Sequence, residues 1–229
     1  MGVACSGQQP SGTGNVVIYG LSLSGNVMPP MLFILDNKCG SMEEMNIMTG
    51  EHKSPEKLAL NPFGAMPIMQ DGDIILAEST AILRYLAKCY NPTSYGLDIK
   101  EQSNTDWALD WAANTFLSKH YANIWYPVAG FGAAPANQED ANKACVDSLE
   151  VFAKKFLAGK FIGGNTLNIA DYKIGSAVWY LEHPAIEKNS KYKNPQRISQ
   201  YAKDFYAALS PESQKFLEGP KGFLDTKLK

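Results

Sequence analysis

Apolar and polar positions change rhythm once along this chain. Val16-Val17-Ile18-Tyr19 is a short β-branched run closed by Gly20, the pattern of a buried parallel strand. Met31, Leu32, Ile34 and Leu35 then fall at helical spacing and predict a helix over 31–38, entered through Pro29-Pro30. Proline suits a first helical turn, where its missing N–H would have had no partner. Met42 to Ile47 weakly predicts a second strand, and 49–60 predicts no regular structure. Met66-Pro67-Ile68-Met69 reads as a third strand, Gln70-Asp71-Gly72-Asp73 as a tight turn and Ile74-Ile75-Leu76 as a fourth strand. Ala81, Ile82, Tyr85 and Leu86 share one face of a helix over 78–90.

Beyond the Pro- and Gly-bearing segment 91–98 the period-2 signal disappears. Helical patterns cover about 99–122, 137–158, 168–181 and 195–208. Asn168 with Asp171 three positions on is close to a capping box for the third of these. The expected organisation is a tail over 1–15, an α/β domain over 16–90 in the order βαβ then ββα, a linker over 91–98 and an all-helical domain over 99–229.

Composition narrows the function classes. The 229 residues carry a net charge of −2 with no Lys/Arg block, which removes the electrostatic footprint of nucleic-acid binding. No apolar run reaches the ~20 residues that cross a bilayer, and the amino terminus lacks the apolar core of a secretory signal. Four cysteines without a CxxC, and three histidines, offer no metal-ligand spacing and fit a reducing, cytoplasmic setting. At the amino terminus, Gly2 after the initiator Met, with Ser6 in the pattern, fits N-myristoylation, and Cys5 is placed for palmitoylation. Polar, Gly-rich residues 7–14 would make a flexible tether.

Four short motifs then occur in one order: Tyr19 to Val27, His52-Lys53-Ser54-Pro55, Asn61-Pro62-Phe63-Gly64 with Pro67, and Glu78-Ser79. In order and spacing the chain resembles the soluble glutathione transferases, most closely the plant-type phi class. The likeness is detailed over 16–90 and elsewhere rests on helical pattern and the Asn168–Asp171 cap.

The resemblance implies a thioredoxin-like N-terminal domain and a helical C-terminal bundle. It implies that Ser24, five residues past Tyr19, donates its hydroxyl to the glutathione sulfur, with Ser22 the nearby competitor and Asn26 assisting or capping the helix. Met66 before a cis Pro67 would pair with the cysteinyl backbone of glutathione, and Glu78 and Ser79 at a helix start would hold its γ-glutamyl end. His52 and Lys53 would meet the glycyl carboxylate. Two departures stand out: Ala65 replaces a glutamine that contacts the tripeptide backbone, and Met28-Pro29-Pro30 replaces an arginine-bearing helix start.

Phe63 occupies the position of an aromatic key at a homodimer contact. Trp111, Phe116 and Trp125 are expected to line an apolar pocket for a small hydrophobic electrophile. Glutathione would be a co-substrate, with no metal and no other cofactor. The expected activity is conjugation, with peroxidase chemistry open. The alternatives are a non-catalytic carrier of hydrophobic ligands or a glutathione-dependent lyase or isomerase.

One myristoyl chain binds a bilayer only marginally, so stable anchoring would need the second acyl chain at Cys5. Gly2→Ala is expected to shift the protein from the membrane to the soluble fraction of a cell lysate; an unchanged distribution would exclude tethering through Gly2.

Overall fold

The computed structural model describes residues 12–227. The predicted lipidation sites Gly2 and Cys5 lie outside the described residues. A four-stranded sheet runs in the order β2-β1-β3-β4, with β1 at Val16–Gly20, β2 at Gly40–Glu44, β3 at Ile68–Asp71 and β4 at Ile74–Ala77. β1 pairs parallel with β2 and antiparallel with β3, and β3 continues antiparallel into β4. Helices α1 (Met28–Asp36), α2 (Pro55–Leu60) and α3 (Ser79–Tyr90) complete this thioredoxin-like half.

The second strand lies two to three residues earlier than the pattern predicted. Its register is set by Gly40 opposite Val16, where a Cβ at position 40 would lie 2.2 Å from the Val16 carbonyl oxygen. A side chain there would force the strands apart. The 49–60 segment also differs from expectation, because it contains α2. Ser54 caps that helix by accepting from the Lys57 N–H at 3.3 Å, and Pro55 sits in its first turn.

The rest of the chain is helical: α4 (Ile99–Trp111), a π-helical stretch (Ala112–Tyr121), α5 (Ala122–Ala129), α6 (Gln138–Phe156), α7 (Ile169–Leu181), α8 (Pro184–Ser190), α9 (Gln196–Ala208) and α10 (Pro211–Lys227). The expected helix over 99–122 therefore widens before continuing to residue 129. Buried Ala112, Phe116 and Tyr121 stand four and five residues apart, the spacing of the wider turn rather than of an α-helix. The sequence reading missed α8 and α10. In α10, Gly219, Pro220 and Gly222 oppose helix on propensity, yet buried Leu217 and Leu224 dock it into the common core.

One continuous apolar core spans both halves. α1 is buried from Met28 to Ile34 and packs on α7, with Phe33 edge-on to Tyr172 at 5.4 Å. Asp36 at the end of α1 accepts from Tyr172 Oη at 2.8 Å, from Ser213 Oγ at 2.6 Å and from the Ser210 N–H at 2.9 Å. Segment 91–98 is no loose linker. Ser94 and Tyr95 are buried, and the Tyr95 hydroxyl donates to Asp106 at 2.8 Å.

Residues 13 and 14 are likewise tied to the domain. Buried Asp71 accepts from the Thr13 N–H at 3.0 Å, the Thr13 hydroxyl, Tyr85 Oη at 3.0 Å and Tyr90 Oη. Burial alone would raise the Asp71 carboxyl, but these hydrogen bonds outweigh it and hold the group below its ordinary value. A lowered folded value means that the stabilisation is complete above the unfolded value of about 4 and is lost as pH falls through the folded one. Asp71→Asn is expected to lower stability by about 2 kcal/mol at neutral pH. Urea midpoints should show the gap narrowing below about pH 4; a pH-independent gap would contradict this account.

Candidate active site

The loop from β1 to α1 is built around Ser24. Its N–H donates to the Leu21 carbonyl at 2.9 Å, and its own carbonyl accepts from Val27 and Met28 at 2.9 and 3.0 Å. Ser24 thus closes the first turn leading into α1. Pro29 and Pro30 follow directly and carry no N–H, so this helix start offers fewer backbone donors than usual. A negative atom placed here depends correspondingly more on side-chain donors.

The two candidate serines are separated by their partners. Ser22 gives its hydroxyl to Glu44 Oε1 at 3.1 Å, and its N–H is shared between the two carboxylate oxygens of Glu44 at 3.1 and 3.3 Å. Ser24 Oγ accepts from the Asn26 N–H at 3.3 Å, and no described residue takes its proton. The hydroxyl that remains able to donate is that of Ser24.

Glu78 and Ser79 lie at the head of α3. Glu78 has φ +66°, a left-handed conformation that a side chain other than glycine adopts uncommonly. It is exposed, whereas Ser79 is buried. Beneath Ser79 stands Lys173 of α7, only 1% exposed, whose Nζ donates to Ser79 Oγ at 2.6 Å and to Asn26 Oδ1 at 2.7 Å. Burial lowers the Lys173 ammonium to about 7, with the negative charge of Glu78 acting in the opposite direction. Sequence reasoning missed this residue. Its signal was a lone cation within an otherwise largely apolar helical run from Ile169 to Leu181.

The Met66–Pro67 peptide is cis and leads into β3. Asn61 shapes the loop before it. Its Nδ2 donates to the Ala65 carbonyl at 2.8 Å, and its Oδ1 accepts from the Phe63 N–H at 3.2 Å. Met66 Sδ accepts from the Leu21 N–H at 3.3 Å, which ties this loop to that of Ser24. His52 and Lys53 occupy a single helical turn, Glu51–Lys53, that packs beside Gly64. His52 Nδ1 is buried without a hydrogen-bond partner. Phe63 projects outward and is 87% exposed.

A cavity of 340 Å³ opens beside Ser24. Leu21, Leu23, Ile47 and Met66 wall it from the sheet half, and Trp125, Tyr126 and Phe131 from the helical half. Trp111 and Phe116 do not line it, contrary to expectation. They stack on each other at 5.5 Å, and Trp111 stacks on Phe152 of α6 at 4.9 Å, so their faces are spent on the helical core. Burial pushes the Cys39 and Cys145 thiols up to about 12 and also raises Cys89, so none of these three is poised as a thiolate. Among the described residues, no group of three or more His, Cys, Asp or Glu could hold a metal ion. No described helix is long and apolar enough to cross a membrane.

Residues 39–88 match the family model for the glutathione S-transferase N-terminal domain. The chain is 31% identical over 162 residues to a probable glutathione S-transferase, GSTF2, of Oryza sativa subsp. japonica, covering 67% of this chain and 75% of that one. The chain belongs to the glutathione S-transferase family. Glutathione S-transferase F10 of Arabidopsis thaliana is 29% identical over 168 residues, covering 69% of this chain and 78% of that one. A delta-class glutathione transferase of Nilaparvata lugens shares the fold, with a TM-score of 0.79 at 24% identity over 93% of this chain and 98% of that one.

The family-model match takes in the 52–53 turn, Asn61, Pro67, Glu78 and Ser79 of this glutathione S-transferase. Ser24, Trp125 and Lys173 lie outside it. Asn61 is buried and serves two backbone groups of its loop at once, so Asn61→Ala leaves both without that partner. The substitution is expected to cost about 1–3 kcal/mol of stability, read from urea midpoints; a change below about 0.5 kcal/mol, the range of an ordinary surface substitution, would contradict the assigned role.

Proposed function

We propose that this chain conjugates glutathione to small apolar electrophiles, using Ser24 to hold the glutathione sulfur as a thiolate. The observation that carries the reading is the partnering of the two serines: Glu44 occupies the Ser22 hydroxyl, while Ser24 lines the cavity and no described residue takes its proton. A free thiol has a pKa near 8.5 and is only a few per cent ionised at neutral pH. Lowering it by about 2 units takes about 2.7 kcal/mol of preferential stabilisation of the anion. A charge-assisted hydrogen bond from Ser24 at the positive end of α1 supplies much of that. The thiol proton leaves to solvent, the sulfur lone pair forms a bond to the electrophilic carbon, and the leaving group departs with its electron pair.

In this reading Met66 before Pro67 pairs with the cysteinyl backbone of the tripeptide. Ser79 and the α3 N-terminus receive the γ-glutamyl carboxylate, and Glu78 its ammonium. His52 and Lys53 meet the glycyl carboxylate. Ala65 offers no side-chain hydrogen bond, so that contact is left to backbone. The electrophile lies against Trp125, Tyr126 and Phe131. Residues 16–90 serve as the glutathione-binding domain and 99–229 as the electrophile-binding domain. Exposed Phe63 supports a two-fold homodimer in which it enters the partner subunit. The setting is cytoplasmic detoxification, with membrane tethering through Gly2 and Cys5, and glutathione acts as substrate rather than as a resident cofactor.

The consecutive prolines at the start of α1 favour one competing reading, a carrier that uses the same cavity without turnover. Conjugation of a chloronitroarene separates the two. Ser24→Ala is expected to lower kcat/KM roughly 10²-fold and to raise the pKa of the bound thiol in an ultraviolet titration, whereas Ser22→Ala should stay within about twofold. A Ser24→Ala enzyme as fast as the wild type would overturn the assignment, and tight binding of a hydrophobic dye without any turnover would establish the carrier.

A further inference from the structure

Lys173 comes from the helical half, yet its ammonium ends between the two parts of the sheet half assigned above to the sulfur and to the γ-glutamyl end of glutathione. It meets Asn26 in the β1–α1 loop at 2.7 Å and Ser79 at the head of α3 at 2.6 Å. An ammonium group only donates, so it accepts nothing from either neighbour and must be met by oxygen atoms. When Lys173 is charged, Asn26 Oδ1 and Ser79 Oγ both act as acceptors toward it, which leaves the Asn26 amide hydrogens and the Ser79 proton for another acceptor. Together with Ser24, whose Oγ accepts from the Asn26 N–H, three side chains then keep a donor that no described residue takes. A pocket so lined favours an anion.

We propose that Lys173 is a positioning residue that orients Asn26 and Ser79 as donors and takes up a proton when the anionic tripeptide binds. This rests on the glutathione reading above. The groups around it are few. Glu78 at the head of α3 is the acid whose charge reaches it. Arg84 of α3 is held by Asp106 and Asp110 of α4 at 2.6 and 2.9 Å. Asp36 of α1 is occupied by Tyr172, Ser210 and Ser213, and Tyr201 of α9 donates to Asp171. Buried Tyr121 faces α7 from the π-helical stretch without a hydrogen-bond partner for its hydroxyl.

With the ligand absent, the cost of burial leaves the amine near half-protonation at about pH 7. Carboxylate bound on Ser79 and negative sulfur beside Asn26 favour the charged form, so binding raises its pKa. Protons are therefore taken up on binding from near pH 7 upward, and affinity falls as pH rises through this range.

The test is calorimetric titration with S-methylglutathione, whose blocked sulfur cannot ionise, in two buffers of different ionisation enthalpy between pH 6 and 9. The wild type is expected to take up roughly half a proton per site near pH 7. Lys173→Met should take up none and bind roughly tenfold more weakly at pH 6.5. Lys173→Arg, always charged, should bind without uptake and recover part of the affinity.

Uptake that persists in Lys173→Met overturns the proposal. Wild-type binding without any proton uptake overturns it with no variant needed. A wild-type protein that does not bind S-methylglutathione at all removes the glutathione reading as well.

Discussion

The architecture depends on burying α7 through the middle of the molecule. Every residue of this helix except Trp179 is buried, so its polar groups must find partners in protein rather than water. The cap answers for one end. Asn168 accepts from Ala170 and Asp171 at 2.9 and 3.1 Å, and Asp171 accepts from Asn168, Ile162 and Tyr201 at 2.9, 3.0 and 2.8 Å. Burial raises the Asp171 carboxyl to about 6, with these hydrogen bonds holding it from rising further. Gly175 permits the closest approach to α9, where a Cβ would fall 2.5 Å from the Phe205 ring. α1 and α3 then rest on this helix, and their heads are thereby brought to one place.

That arrangement divides the chemistry between two scaffolds. The polar groups proposed to act on the tripeptide come from loops of the sheet half, held by Asn61, Glu44 and the carbonyl turn at Ser24. The aromatic wall of the cavity comes from Trp125, Tyr126 and Phe131, facing Leu21, Leu23, Ile47 and Met66 of the sheet half. Lys173 crosses this division, since a residue of the helical scaffold sets which way two side chains of the sheet half face.

Much of this was legible from spacing. Short apolar runs bounded by turn residues located β1, β3 and β4, and an apolar face located α3. The Asn168–Asp171 cap was readable because its partners are local. What escaped depended on contacts distant in sequence. β2 is short and largely exposed, so only its register against Val16 fixes it. α10 forms against the propensity of Gly219, Pro220 and Gly222, because Ser213 and Leu217 have a partner surface on α1. Trp111 and Phe116 carry the composition of a pocket wall, but Phe152, forty residues on, claims the face of Trp111. Within the candidate site, Ser24 could be named from the sequence, whereas its separation from Ser22 required seeing Glu44 beside the latter.

One distant ring carries a consequence for selectivity. Phe223 in α10 stacks on Phe131 with centroids 6.0 Å apart and planes within 4° of parallel. The last turns of the chain thus brace the rim of the cavity from behind. A substitution at Phe223 therefore alters the support of Phe131 at the cavity rim while leaving the Ser24 loop untouched, so the two walls of one cavity can vary independently.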